Sequence, residues 1–266
     1  LAAEIFLLIC YVHSCGVPCS FDMVYSYLGD EQYSWQNMLD AIQRVGKLIK
    51  DCENSSDYFG SYDIDYSLQD YYQCRSRFFA EKIIQSVPKG NRLLAKVLFD
   101  FVEFVPPFKI CAYDKFKRSG YDADLASRAF TSFEEGKEFY EKCVLKDESE
   151  YIYQQAAIYF SRINEYKEAF DWIERARNLA HYNRFSIDST YASIYFKVNV
   201  GIDSTECKQA LNILYKCCTD DKRKAIHFSN YAKCVLEYAE KHSDDKENIL
   251  DYIEGALMFV REGLDA

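Results

Sequence analysis

Cys10, His13, Cys15 and Cys19 gather thiol and imidazole groups in one short segment, and these are the side chains a structural zinc requires. Four such groups must converge tetrahedrally. Cys10 sits in an apolar helical run, and the spacing matches none of the paired patterns of zinc sites, so packed thiols are favoured over a metal. Cys217-Cys218 reads in the same way, as a packed helix end and not a redox pair. Two acidic stretches, Asp63-Ile64-Asp65 and Asp244-Asp245-Lys246-Glu247, lack calcium-loop spacing and read as solvated turns. Gly46-Lys47 and Gly136-Lys137 lack the upstream glycine and following hydroxyl of a phosphate-binding loop. The Gly-x-Ser-x-Gly and His-Glu-x-x-His signatures are also missing from the sequence. The reading is therefore a non-enzyme, with no catalytic residue, cofactor or metal expected.

The elements around these residues say more. Tyr153, Ala156, Ala157 and Phe160 share one face of a helix. After a turn at Ile163–Glu165, Tyr166, Ala169, Ile173 and Ala176 share one face of a second. Alanines let the two helices approach closely while aromatics fill the gaps between them, which is the packing logic of a tetratricopeptide unit. Such a unit cannot bury its apolar face alone, so neighbours must stack on it. Thr190–Val200 with Glu206–Cys218, and Lys224–His242 with Asn248–Arg261, read as two further pairs.

Tyrosine (23) and phenylalanine (19) are abundant while glycine (10) and proline (4) are scarce, which favours long helices over a turn-rich β architecture. The formal net charge of −10 argues against a phosphate-binding surface, so no nucleic acid partner is expected. Eleven scattered cysteines in a chain of 266 residues fit reduced thiols and a cytoplasmic location better than a disulfide framework. No apolar run reaches the length of a membrane span, and no membrane partner is expected. The chain opens without Met inside an apolar helical pattern, interrupted by Glu4 and His13, and is read as a piece of a longer protein.

Upstream of the array, Ala2–Ser14 is an amphipathic helix, Ser20 caps a second helix to Leu28, and Ser34 caps a third to about Val45. Lys47–Glu53 and Ser61–Tyr72 alternate like strands around a polar turn, which is the order of a winged helix. Arg75–Val87, Arg92–Val105, Leu125–Phe130 and Phe133–Leu145 read as further helices. The expected fold is mainly α, with a small winged-helix-like α/β unit at 1–90 and a tetratricopeptide-like helical array at 91–266.

Four segments, "IFLLICYVHSCGVPCSFDMVYSYLG", "YYQCRSRFFAEKII", "YIYQQAAIYFSRINEYKEAFDWIERARNLA" and "FSIDSTYASIYF", together resemble the region that follows the nucleotide-binding domain of bacterial STAND ATPases, signal-transducing ATPases with numerous domains. In that family a winged helix precedes a tetratricopeptide-like region, and many members are antiviral sensors resembling NOD-like immune receptors. The family's winged helix often carries an Arg-His pair followed by Ala-Glu. Here Arg75, Ala80 and Glu81 match, while Ser76 stands in place of a histidine that can touch nucleotide in related receptors. The resemblance implies a sensor region that recognises a foreign, phage-derived protein and controls an upstream ATPase domain, with oligomer formation on activation. Recognition would fall to the concave face of the array, where Tyr153, Tyr159, Tyr182, Tyr191, Tyr195 and Tyr231 are the candidate protein-binding residues. The alternative is a general tetratricopeptide adaptor for peptide or protein partners, with no ATPase attached.

Overall fold

The structure, a computed structural model, describes residues 1–29, 33–51, 70–181, 184–221 and 225–264. It is mainly helical, with one small sheet, and it divides into two compact units, Leu1–Glu148 and Ser149–Ala266.

The first unit is built around α1 (Ala2–Ser14), in which every residue from Leu7 to His13 is buried. A helix apolar on all sides must be surrounded. Its neighbours are α3 (Trp35–Val45), α4 (Arg77–Ser86), α5 (Arg92–Phe104), α6 (Tyr113–Gly120) and the sheet. Local chemistry sets the boundaries: the hydroxyls of Ser20, Ser34 and Ser76 accept backbone N–H bonds from Met23, Asn37 and Phe79, starting α2 (Phe21–Leu28), α3 and α4. The strands β1 (Cys19–Ser20), β2 (Ile49–Asp51) and β3 (Tyr71–Cys74) form an antiparallel sheet in the order β1-β3-β2. Cys19 pairs with Tyr72, and Ile49 pairs with Cys74. The expected second strand at Ser61–Tyr72 and the turn before it lie mostly outside the described residues; the described strand runs from Tyr71 to Cys74.

Helix α5 is followed by α7 (Ala123–Ala129) and α8 (Phe133–Lys146). The apolar side of α5, formed by Leu94, Val97, Leu98, Phe101 and Val102, packs on α1, α2, α7 and α8. That burial keeps residues 91–148 with the first unit, so the sequence boundary at 90/91 falls inside it and the break comes at Glu148/Ser149. Helix α6 has no counterpart in the sequence reading. It begins after Ala112, whose φ is 48°, and buries only Phe116 and Gly120.

The second unit is three consecutive helical hairpins: α9 (Glu150–Arg162) with α10 (Tyr166–Leu179), α11 (Arg184–Asn199) with α12 (Ser204–Asp220), and α13 (Ala225–Lys241) with α14 (Lys246–Leu264). The first turn uses Asn164 at φ 65°, a left-handed position that asparagine tolerates, and the Glu165 N–H closes it on the Phe160 carbonyl at 2.9 Å. Ala156, Ala157, Ala169 and Ala176 are fully buried, and the Trp172 ring packs 5.5 Å from Tyr153 and 5.9 Å from Phe160. The later hairpins share a core that includes Phe196, Leu211, Leu214, Phe228, Tyr231 and Phe259. Asp245 ties three helices together, accepting from Lys208 at 2.7 Å and from the Tyr238 hydroxyl at 2.6 Å. One of the acidic stretches is thereby committed to structure; Asp63 and Asp65 lie outside the described residues.

Candidate recognition groove of the second unit

The first helix of each hairpin carries a mostly polar stripe at helical spacing. On α9 the stripe is Tyr151, Gln154, Gln155 and Ile158, ending at Arg162. On α11 it is Ser186, Ser189, Thr190 and Ser193. On α13 it is Ile226, Asn230 and Lys233. Steps of three and four residues place each set on one side of its helix. Together they line a groove of about 570 Å³.

Side-chain hydrogen bonds hold the three helices in place along this groove. The Gln154 amide donates to the Ser186 carbonyl at 3.1 Å and to the Thr190 hydroxyl at 2.9 Å, joining α9 to α11. The Asn230 amide donates to the Ser189 hydroxyl at 3.2 Å, joining α11 to α13. Ser193 donates to the Ser189 carbonyl at 2.8 Å, so its small side chain stays folded against its own helix. Among the described residues, Arg162 and Lys233 are the Lys and Arg side chains lining the groove and no Asp or Glu lines it, although the chain as a whole carries −10. Fixed amides and hydroxyls of this kind can exchange hydrogen bonds with a peptide backbone, and the local charge favours a negative ligand.

None of the five described candidate tyrosines lines this groove. Tyr153 and Tyr159 are buried in α9, and Tyr231 is buried against Tyr215 and Phe259. Tyr191 and Tyr195 stack on one another at 5.7 Å and on Phe170 of α10 at 5.4 and 5.9 Å, on the side of α11 opposite Ser186 and Ser193. The Arg177 guanidinium caps Tyr191 at 4.3 Å. Tyr182 lies outside the described residues. The physical reason is that helices of a stacked array are packed on several sides, so large aromatics at helical spacing fill the spaces between helices and leave the free face to smaller polar groups. The signal for the groove was present in the sequence as Ser186, Ser189, Thr190 and Ser193, a hydroxyl series at helical spacing in an aromatic-rich chain.

In the first unit, the candidate zinc residues take other partners. The Cys10 and Cys74 sulfurs lie 3.4 Å apart, and His13 Nδ1 accepts the Cys74 N–H at 3.1 Å. Hydrogen bonding from Cys10 favours the Cys74 thiolate and lowers its pKa. Cys15 donates to the Tyr11 carbonyl at 3.3 Å, and Cys19 faces the Ser20 carbonyl at 3.8 Å. Among the described residues no three metal-capable side chains converge. Burial pushes the thiols of Cys217 and Cys218 up to about 11 and about 12, as for inert packed cysteines. Ser76 uses its hydroxyl oxygen to accept the Phe79 N–H at 3.1 Å, and Arg77 pairs with Glu81 at 2.9 Å. Among the described residues no helix is long and apolar enough to cross a membrane.

Comparison with protein-family models, with curated proteins and with solved structures found no match to this chain.

Proposed function

We propose that this chain is a protein-recognition region whose second unit holds an extended, net acidic segment of a partner protein in the α9–α11–α13 groove. The observation that carries this reading is the groove itself: amides and hydroxyls fixed by hydrogen bonds, a cationic balance in an acidic chain, and a length of three helices. Polar groups already held in place lose little freedom on binding, which is what a recognition surface needs. The role is binding and not catalysis, with the hairpins acting as a tetratricopeptide-like array in the cytoplasm.

The wider reading is that this region is the sensor of a STAND-type defence ATPase, with a phage protein as ligand and the nucleotide-binding domain upstream of Leu1. The element order α1-β1-α2-α3-β2-β3 supports it, because three helices interleaved with a small antiparallel sheet suit a winged helix placed before a helical array. A free-standing adaptor is the alternative. The gene sequence upstream of Leu1 separates the two: a Gly-Lys-Ser/Thr phosphate loop there supports the sensor, and a start codon nearby supports the adaptor.

Groove binding is tested by selecting random peptide libraries against the whole chain and repeating the selection with Ser193→Trp, which fills the groove from a half-buried position. The proposal expects enriched acidic sequences that lose binding to the variant. Enriched peptides that bind the variant equally would place recognition elsewhere.

A further inference from the structure

The last described helix, α14, carries two apolar stripes where one is enough for its own packing. Ile249, Tyr252, Ala256 and Phe259 face the core of the second unit. Next to them runs a second series, Leu250, Ile253, Leu257, Val260 and Leu264, whose steps alternate between three and four residues. That alternation is a heptad seam, the pattern by which one helix pairs with another. The seam is largely uncovered: Leu250 is 63% exposed, Leu257 51%, Val260 41% and Leu264 80%, while Ile253 at the junction of the two stripes is half-buried.

The flanks of the seam say what fits it. One flank is closed, because Ile249 and Ala256 lie on it and pack inward. The open flank carries exposed Glu254 and Arg261, one heptad apart and opposite in charge. Two copies laid side by side in parallel would set each open flank against the other's closed one, and neither charge would find a partner. Reversing one copy brings the two open flanks together. With a two-fold axis close to Leu257, Leu250 then meets Leu264, Leu257 meets its own equivalent, and Glu254 meets Arg261 twice. A self-complementary patch of this kind is what a closed two-fold interface requires.

We propose that α14 is a self-association surface, through which two copies of this chain pair antiparallel about a two-fold axis at Leu257. This inference is independent of the groove, which lies on α9, α11 and α13. A seam of about two heptads gives a modest affinity, so the dimer depends on protein concentration.

The test is sedimentation of the full 266-residue chain from low to high micromolar concentration, with four variants. The wild type is expected to shift from monomer to dimer. Leu257→Asp, at an exposed position, should stay monomeric while keeping the wild-type circular dichroism and melting temperature. Glu254→Arg or Arg261→Glu alone turns both attractive contacts into repulsive ones and should weaken the dimer on the order of tenfold. The double variant E254R/R261E restores both pairs with signs exchanged, and should return the dimerisation constant to within about threefold of wild type. A wild type that is monomeric at every concentration overturns the proposal. So does a dimer indifferent to Leu257→Asp, or a double variant no better than the single ones.

Discussion

Ala169 gives the sharpest test of how the second unit is packed. It is fully buried on α10, the helix whose Trp172 ring packs on Tyr153 and Phe160 of α9. Ala169→Glu adds four heavy atoms where none fit, an overpacking cost of about 1–3 kcal/mol. The carboxylate has a second cost. If the folded state admits it only in the protonated form, holding it neutral at pH 7 against a free pKa of about 4.3 costs about 3.7 kcal/mol. At pH 5 that component falls to about 1 kcal/mol. The total at neutral pH, about 5–7 kcal/mol, is comparable with the whole stability of a small domain, about 5–15 kcal/mol. The sign follows from linkage: a carboxyl whose folded pKa is raised penalises folding fully above that pKa, and the penalty disappears below the unfolded value. Ala169→Gln carries the steric cost without the charge. Buried Trp172 reports the second unit by fluorescence in a Trp35→Phe background, since these are the two tryptophans of the chain. The expected result is a urea midpoint for Ala169→Glu far below wild type at pH 7 and partly recovered at pH 5, while Ala169→Gln loses less stability and shows no recovery. Lys167→Glu, on the exposed side of the same helix, should leave the midpoint unchanged. A wild-type midpoint for Ala169→Glu, or a penalty independent of pH, would refute the packing described for α9 and α10.

Two further outcomes concern the first unit. Gly120→Ala should destabilise it by about 1–3 kcal/mol, because a Cβ at Gly120 would lie 2.5 Å from the fully buried Phe116 ring; this is read as faster hydrogen exchange in α6 and α1. Burial opposes ionisation of Glu4, but Lys96 and the Tyr27 hydroxyl, 2.8 Å away, outweigh it and hold the carboxyl below its usual range. The stability this contributes is present above the unfolded carboxyl pKa and is lost as pH falls through the lower folded value. Glu4→Gln should therefore flatten the rise in α1 hydrogen exchange on acidification below about pH 4.5.

The sequence marked helix starts well where a side chain fixes them. Ser20 and Ser34 cap α2 and α3 in the structure as their positions suggest, and the turn at Ile163–Glu165 falls between α9 and α10. The small sheet was harder to place, because strands of two to four residues are too short to show an alternating pattern. Helix α6 went unread for a related reason: with Phe116 and Gly120 as its only buried residues, it has almost no apolar period. The domain boundary was displaced because periodicity shows that α5 has an apolar face but not what covers it. The tyrosines illustrate the same limit at the site. Spacing places Tyr191 and Tyr195 on one side of α11, yet only the packed structure shows that this side meets Phe170 while Ser186 and Ser193 face the groove.

The most direct test of the account is methyl NMR of the isoleucines in the presence of an acidic peptide selected from a random library. Ile158, Ile194 and Ile226 line the groove, whereas Ile152, Ile173 and Ile187 are fully buried in the same unit and do not line it. Saturable shifts concentrated at the first three, and abolished by Ser193→Trp, are expected. Shifts that spare those three, or that persist unchanged in the variant, would contradict the claim that the groove is where this protein binds its partner.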